Sequence, residues 1–268
     1  MQPLSYDNGA IFRKNKRQCP LFILERKFMN TFVIGDLHLQ AKEIIPLIKP
    51  LIQIHSVEHI IFVGDYVDQW NQTGNDSRYI SELNTLIEFK NWCSNMNIKT
   101  TFLLGNHDVP YLISNPQRYS SDSASVREYV RQKLLELNPQ LAIESHGYMI
   151  SHAGFVANTK ATNNLSLDNL IAIESEDGFS SLNKNDIPSS IWARPYDHKR
   201  YPSQFYKKQI FGHTPVESIH LSSDLINIDT FSLYRSLRPK GDGSILLLSE
   251  EKPKKINTNW DMSKKKEF

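Results

Sequence analysis

Five short segments of the sequence place side chains that can bind a metal next to a glycine. Three of them follow apolar runs and read Gly35-Asp36-Leu37-His38, Gly64-Asp65-Tyr66-Val67-Asp68 and Gly105-Asn106-His107-Asp108. The other two are Ser151-His152-Ala153-Gly154 and Gly212-His213-Thr214. Carboxylate, amide and imidazole groups together suit Mn²⁺, iron or Zn²⁺ better than Ca²⁺ or a thiophilic metal.

Six of these side chains form the candidate ligand set, namely Asp36, His38, Asp65, Asn106, His152 and His213. Six ligands exceed the needs of one tetrahedral site. They fit two metal ions roughly 3.5–4 Å apart that share one bridging carboxylate. An aspartate after a glycine can also simply cap the next helix. That reading does not account for three such turns together with two histidine motifs.

The segments around the first three motifs predict strands that alternate with helices. Apolar, β-branched runs at residues 31–34, 59–63 and 100–104 end at the three glycines. Residues 42–54 and 78–93 between them carry apolar side chains at helical spacing. This alternation is typical of parallel βαβ units. In open α/β sheets ligands bind at the carboxyl ends of the strands, so the three motifs should converge there.

The second half of the chain has a more mixed pattern. We predict a helix over residues 125–137 and a hairpin whose strands, 141–145 and 148–151, flank His146-Gly147. Residues 157–190 are rich in Asn and Ser and contain one helical stretch, 167–174, within an otherwise long loop. Three further strands are predicted at 208–211, 225–228 and 244–248, and the first of them, 208–211, leads into His213.

Composition excludes several classes of protein. The chain has 268 residues, of which 40% are hydrophobic, and its 13 Phe, 11 Tyr and 4 Trp can fill a large core. Disordered, collagen-like and disulfide-scaffold proteins are therefore excluded. The apolar runs fall far short of the roughly 20 residues that span a bilayer. The net charge of +2 gives no reason to expect a nucleic acid partner.

The cysteines and the ends of the chain lead to expectations about location and domain limits. Cys19 and Cys93 form no CxxC pattern, which favours free thiols in a reducing compartment. The first 28 residues lack a clear secretory signal, so we expect a cytoplasmic protein. We interpret 1–28 as a non-essential extension, 29–249 as the catalytic domain and 250–268, which holds six lysines, as a solvated tail. An ordered arm that covers a sheet edge is the alternative for 1–28.

The five motifs, in this order, resemble the calcineurin-like metallophosphoesterases over residues 31–248. Within that superfamily they resemble the phosphoprotein phosphatase-like branch, which includes bacterial and phage serine/threonine phosphatases and symmetric dinucleoside tetraphosphatases. The resemblance implies an α/β fold in which a two-sheet β-sandwich is flanked by helices and holds a dimetal site at the strand ends. It implies that Asp36 and His38 bind the first metal, that Asp65 bridges, and that Asn106, His152 and His213 bind the second.

The resemblance also implies a reaction. A hydroxide between the metals would attack phosphorus in line, and His107 would protonate the leaving oxygen. Asp108 would orient the His107 ring. Arg194 would clamp the phosphate through its planar fork, with Asn106 beside it.

The sequence departs from the branch at several positions. Asp68 is followed by Gln69-Trp70 where the branch has Arg-Gly, so Gln69 replaces a second arginine that binds phosphate. Gln69 can donate hydrogen bonds but brings no charge, and Arg78 and Lys199 are candidates to supply it. Pro215 follows Thr214 where many diesterases have His, which favours the phosphatase-like branch.

The function we expect is a phosphomonoesterase that uses two divalent ions, with Mn²⁺ ahead of iron and Zn²⁺. Its substrate would be a phosphoprotein carrying phosphoserine, phosphothreonine or phosphotyrosine, or a small phosphoester. Two alternatives stay open, a dinucleoside polyphosphate hydrolase and a catalytically inactive binding protein of the same fold. The missing second arginine supports the inactive protein, whereas the complete ligand set and His107 oppose it.

Overall fold

A computed structural model of the protein describes residues 29–175 and 187–260, and its centre is a pair of β-sheets. The predicted extension 1–28, including Cys19, lies outside the described residues. The five-stranded sheet has the order β3-β2-β1-β8-β9, and the four-stranded sheet has the order β4-β5-β6-β7. The strands are β1 (Thr31–Ile34), β2 (His59–Phe62), β3 (Lys99–Phe102), β4 (Ala142–Ser145), β5 (Tyr148–Ser151), β6 (Gln209–Phe211), β7 (Leu225–Asn227), β8 (Ser244–Leu248) and β9 (Lys254–Asn257).

Six helices surround these sheets in the described part of the chain. They are α1 (Ala41–Ile54), α2 (Asp76–Asn95), α3 (Val109–Leu112), α4 (Ala124–Glu136), α5 (Leu167–Ser175) and α6 (Pro195–Arg200). The helices predicted at 42–54, 78–93, 125–137 and 167–174 are confirmed to within two residues at each end. The short helices α3 and α6 were not predicted. None of the described helices combines the length and the apolarity needed to cross a bilayer.

The strand residues alternate between two apolar layers. Val33 of β1 packs with Ile150 of β5 and Ile210 of β6 in the layer between the sheets. Its neighbours Phe32 and Ile34 belong to the layer that the first sheet forms with α1 and α2. Because both faces of the sheet are covered, the strands read as continuous apolar runs. The predicted fold, two sheets flanked by helices, is confirmed.

The register of the first sheet brings the three glycine motifs to one edge. Strands β1 and β2 are parallel with Ile34 opposite Phe62, and β2 and β3 are parallel with Phe62 opposite Phe102. Each motif therefore leaves the sheet at nearly the same level. In the second sheet β5 and β6 are also parallel, so His152 and His213 follow neighbouring strand ends.

The prediction of a solvated tail from residue 250 is wrong for residues 254–260. Strand β9 pairs antiparallel with β8, and Trp260 is buried, with its ring edge-on to Phe231 at 5.3 Å. The lysines that suggested a tail, Lys254 and Lys255, are exposed on an edge strand. Lysine is a common residue there because it discourages pairing with other chains. The folded domain therefore extends past residue 249.

Candidate dimetal active site

The six predicted metal ligands converge where the strand ends of the two sheets meet. Asp65 lies at the centre of the group. Its Oδ2 is 3.6 Å from His38 Nε2 and 3.5 Å from His152 Nε2. Asp36 Oδ2 is 3.9 Å from His38 Nε2. The Asp65 carboxylate thus lies between His38, which follows a strand of the five-stranded sheet, and His152, which follows a strand of the four-stranded sheet.

Asn106 joins the two histidines of the second sheet. Its Oδ1 is 3.0 Å from His152 Nε2 and 2.8 Å from His213 Nδ1, and these two ring nitrogens are 3.2 Å apart. Three donor atoms from three separate strand ends therefore point to one spot. Oxygen and nitrogen donors in this arrangement are ligands of Mn²⁺, iron and Zn²⁺ rather than of thiophilic metals.

Backbone carbonyls fix which ring nitrogen two of the histidines present to the centre. His152 Nδ1 is 3.0 Å from the Val63 carbonyl oxygen, and His38 Nδ1 is 2.9 Å from that of Asp68. A protonated Nδ1 that donates to a carbonyl leaves Nε2 with a free lone pair. Such outer contacts orient the histidines that bind a metal.

The burial of the carboxylates calls for a cation. Asp36 is 0% exposed and Asp65 is 2% exposed. Burial, and after it the nearby Asp229 and Asp65 carboxylates, raises the pKa of Asp36 well above its ordinary value. Burial and then Asp108 do the same to the pKa of Asp65. Anions that lie so close together and so far from water need a positive partner to stay charged.

The donor set fits two metals. One group of three side chains comprises His38, Asp65 and His107, and another comprises Asp65, His152 and His213. Asp65 is common to both, as a bridging carboxylate would be. Burial lowers the pKa of His152 and of His213 well below the ordinary value, which keeps both rings in the neutral form that binds metals. His/Asp clusters suitable for a metal site are therefore present.

Backbone strain is concentrated at the same place. His38, Asp65, Asp68 and His213 have φ values of +43°, +52°, +59° and +66°, in the left-handed region that non-glycine residues seldom adopt. Each such residue costs of order 1–3 kcal/mol, and such strain clusters at active sites. Position 212 requires glycine, because a Cβ there would overlap the Asp36 carboxylate.

His107 lies beside these groups, with its ring 5.0 Å from that of His38. Burial, and after it the positive charge of Arg194, lowers the pKa of His107 to about 3. On its other side the ring packs at 4.2 Å against Tyr119, a residue to which the sequence analysis gave no role. His107 and Tyr119 together form this side of the site.

The structure corrects the prediction that Asp108 orients the His107 ring. Asp108 Oδ2 accepts the backbone N–H groups of Asp65 and Gly105, at 2.8 and 2.9 Å, and Oδ1 accepts that of Tyr66 at 3.0 Å. Both oxygens are therefore occupied by the loops that carry the ligands. Asp108 follows His107 directly in the chain, but it holds the metal-binding loops together instead of contacting the ring.

Asp68 occupies the position that we predicted for Asp108. Its Oδ2 is 3.2 Å from His107 Nδ1, and its Oδ1 accepts the hydroxyls of Tyr79 at 2.8 Å and Tyr111 at 2.6 Å. Burial raises the pKa of Asp68 to about 7, while the two tyrosine hydrogen bonds oppose the shift. A signal was present in the sequence, since Asp68 is the second aspartate of Gly64-Asp65-Tyr66-Val67-Asp68.

Arg194 lies at the edge of the site, where α6 begins. Its Nη1 donates to the His213 carbonyl at 3.1 Å and to Thr214 Oγ1 at 3.2 Å. Burial lowers the pKa of Arg194, and the carboxylates of Asp65 and Asp36 raise it. A guanidinium held on the His213 loop, close enough to these carboxylates to be influenced by their charge, is suitably placed for an anion that approaches the candidate metal site.

Gln69 and the two cations suggested to replace its charge do not form a second anion clamp. Gln69 Nε2 donates to the His38 carbonyl at 2.8 Å, so it braces the ligand loop. Arg78 donates to the Leu39 carbonyl through Nε at 3.2 Å and Nη2 at 2.8 Å. Lys199 is exposed on α6. We therefore do not assign the missing arginine's role to any of the three.

Asp229 is a further buried acid that the sequence analysis left without a role. It is 0% exposed, and it follows strand β7 as Asp36 follows β1. Burial raises the pKa of Asp229 to about 6, and Ser232, Lys240 and Arg194 oppose the shift. The sequence signal was its position directly after the predicted strand 225–228, although no glycine precedes it as Gly35 precedes Asp36.

Comparison with known proteins places these features in a family. The family model for calcineurin-like phosphoesterases matches residues 29–257. A search of curated proteins finds no match. Among solved structures, a cold-active protein-tyrosine phosphatase from a Shewanella species is 14% identical, with 87% of this chain and 79% of that one covered and a TM-score of 0.56. A serine/threonine phosphatase from Saccharomyces cerevisiae is 15% identical, with coverage of 84% and 74% and a TM-score of 0.54.

At these identities the structural likeness establishes the fold, while the family match extends from the first described residue to the end of the last strand. The matched span contains all six predicted ligands and both halves of the sandwich. The chain therefore belongs to the calcineurin-like phosphoesterases and is a hydrolase that acts on phosphoesters.

Proposed function

We propose that the protein is a dimetal phosphomonoesterase whose substrates are phosphorylated proteins. The observation that carries the proposal is the shared Asp65 carboxylate, which lies within 3.6 Å of a histidine on each side. His107 and Arg194, which border the same centre, also support the proposal. The two phosphatase structures named above have the same fold, which is consistent with a phosphoprotein substrate.

The residues that would hold the metals are the six predicted ones, with Asp36 and His38 on one side of Asp65 and with Asn106, His152 and His213 on the other. Two ions held there would supply a water molecule of lowered pKa as the nucleophile and would neutralise charge on the phosphoryl oxygens. The donor set favours Mn²⁺, iron or Zn²⁺, and we place Mn²⁺ first.

The chain's own groups complete the reaction. Arg194 binds the phosphoryl oxygens, because its guanidinium is held beside His213 at the edge of the candidate metal site. His107 donates a proton to the leaving oxygen from Nε2. Asp68 accepts the Nδ1 hydrogen of that ring and stabilises its charged form. Without substrate, burial keeps the ring neutral, and the charge of a bound phosphoryl group would raise its pKa again.

A dinucleoside polyphosphate hydrolase is the alternative with the same chemistry. Its substrate carries several phosphates and would need cations beyond Arg194. Arg118 is exposed on the cavity next to the site, and this is the one observation that favours the alternative. A catalytically inactive protein is the second alternative, which the intact ligand set and the His107–Asp68 pair oppose.

The test is hydrolysis of p-nitrophenyl phosphate by metal-stripped protein with and without added Mn²⁺. Release that depends on Mn²⁺ supports the proposal, and comparison of phosphopeptides with dinucleoside polyphosphates then decides between the two substrate classes. Preference for the polyphosphate would replace the first proposal by the alternative. Binding of two ions without turnover of any phosphoester would favour the inactive protein. Asp65→Asn is the matched control, since it keeps the side-chain shape and removes the shared charge.

A further inference from the structure

A cavity of about 810 Å³ adjoins the site on the side of His107. In the described part of the chain three segments line it, residues 113–119, the end of α5 at 171–175, and 192–194. Ligand cavities commonly have volumes of roughly 300–1,000 Å³. The volume is therefore large enough for part of a substrate as well as solvent.

Three side chains connect this cavity to the reacting centre. Arg194 lines the cavity and donates to the carbonyl of His213, a predicted ligand, at 3.1 Å. Tyr119 lines it and packs at 4.2 Å against the His107 ring. Trp192 lines it and meets the His213 ring edge-on at 5.7 Å. The wall of the cavity thus includes the proposed phosphate clamp and contacts both the proposed acid and a predicted ligand.

The position of His107 decides which part of a substrate the cavity holds. A general acid must lie within hydrogen-bond reach of the oxygen that it protonates. In a phosphomonoester this is the oxygen between phosphorus and the leaving group. The leaving group is therefore on the His107 side, where Tyr119 and the cavity begin.

The chemistry of the wall decides which leaving group fits. Two aromatic rings, Tyr119 and Trp192, and two aliphatic side chains, Ile113 and Ile171, form the apolar part of the lining. The remaining lining residues are polar or charged: Asn115, Gln117, Arg118, Glu174, Ser175 and Arg194. Ile171 is 47% exposed although it is a large apolar residue, and no described neighbour covers it fully. Aromatic side chains bind other rings by stacked or edge-on contacts. The one or two carbons beyond the oxygen of phosphoserine or phosphothreonine offer this wall little surface, whereas a phenyl ring offers a flat apolar face.

We propose that this cavity is the leaving-group subsite and that it selects the aromatic ring of an aryl phosphomonoester, which in a phosphoprotein is phosphotyrosine. The inference rests on the proposed function. In the reaction the bond between phosphorus and the phenolic oxygen breaks, and a bond from water oxygen to phosphorus forms. The proton of His107 goes to the phenolic oxygen, and the products are tyrosine and inorganic phosphate.

Rates alone do not test the subsite, because a phenol leaves more readily than an alcohol wherever its ring is bound. Phosphonates avoid this difficulty, since their carbon–phosphorus bond is not hydrolysed. The experiment measures the binding of phenylphosphonate and of methylphosphonate to the Mn²⁺-loaded full chain by isothermal titration calorimetry. Burial of the ring should make phenylphosphonate bind about tenfold more tightly or better, at roughly 25 cal/mol per Å² of apolar surface.

The variant Ile171→Gln tests the location of the ring. Glutamine has a similar size and no charge, so it removes apolar wall without altering the field on the phosphonate. The affinity ratio of the two phosphonates should fall about three- to fivefold, the equivalent of roughly 30 Å² of lost apolar contact. Leu135→Gln is the control, because Leu135 is 50% exposed on α4 and does not line the cavity. Its ratio should match that of the unaltered protein.

Equal affinities in the unaltered protein, or an unchanged ratio in Ile171→Gln, would overturn the subsite. If p-nitrophenyl phosphate is hydrolysed in the same preparation, only the inference about the leaving group is lost. If neither phosphonate binds and there is no turnover, the proposed function is lost with it.

Discussion

Replacement of Asp68 by asparagine separates the role of Asp68 from that of Asp108. Asparagine has the same shape, and its Oδ1 can still accept the hydroxyls of Tyr79 and Tyr111. The atom that changes is Oδ2, which lies 3.2 Å from His107 Nδ1. An amide nitrogen there cannot accept the Nδ1 hydrogen, so the charged form of the ring loses both a hydrogen bond and a negative neighbour.

The size of the effect follows from this distance. Opposite unit charges about 4 Å apart interact by about 4 kcal/mol at an effective dielectric constant near 20. Loss of that stabilisation in the transition state corresponds to about 10³-fold in rate. General acid catalysis as a whole contributes about 10²–10⁴-fold. We therefore expect kcat to fall about 10²–10³-fold when the leaving group needs a proton.

The assay compares two aryl esters that differ in the leaving group alone. With Asp68→Asn, kcat for phenyl phosphate should show the full loss, because phenolate leaves poorly without a proton. For p-nitrophenyl phosphate the loss should be less than about tenfold, since nitrophenolate needs little protonation. The Mn²⁺ content of the variant is measured in parallel, because the Asp68 carbonyl also holds His38.

Asp108→Asn is the control, with the opposite signature. An amide nitrogen in place of one oxygen faces N–H groups of the ligand loops, and it breaks one or two of the three hydrogen bonds there. The free energy of unfolding should fall by about 2–5 kcal/mol, and both esters should lose rate equally. If Asp68→Asn slows both esters equally with its metals retained, or if Asp108→Asn shows the leaving-group dependence instead, our assignment of the two aspartates is wrong.

Three further predictions concern metal binding, pH and the end of the chain. Asp65→Asn removes the carboxylate common to both ligand groups, so calorimetric titration should find fewer than two Mn²⁺ ions per chain together with lost activity; an active variant with two ions would contradict the bridging role. Burial raises the pKa of Glu82 from 4.5 to about 7, which means that its stabilisation is complete below pH 4.5 and is lost as the pH rises through 7. Glu82→Gln can keep the hydrogen bond from the Lys42 N–H. Urea unfolding should therefore show that the free energy of unfolding falls less between about pH 5 and pH 8 in this variant than in the unaltered protein, with a difference of at most about 3 kcal/mol. Identical falls in the two proteins would show that Glu82 stays charged. Trp260→Ala should lower the free energy of unfolding by about 3 kcal/mol, because the ring packs on Phe231, whereas a change below 1 kcal/mol would mean that the segment after β9 does not contribute to the core.

Part of the site could be predicted because its signals are local. A strand followed by glycine and a metal-binding side chain marks the carboxyl end of the strand, whatever the rest of the chain does. The sequence therefore identified six candidate ligands, from Asp36 to His213, and the structure brings their side chains close together. The alternation of apolar residues also predicted the long helices and eight of the nine described strands, since periodicity depends only on neighbours along the chain.

Contacts between distant segments could not be predicted in this way. Asp108 is next to His107 in the chain, but the turn into α3 directs its carboxylate to three backbone N–H groups. Asp68 comes 39 residues before His107 and contacts it from a left-handed backbone, with φ of +59°, only once strands β2 and β3 lie side by side. Strand β9 was missed because lysines at an edge strand resemble a solvated tail until β8 lies beside them. The sequence by itself determined which groups can bind the metals, whereas the tertiary structure decided which acid holds the histidine and what forms the wall beside it, because these depend on the packing of loops that are far apart in the chain.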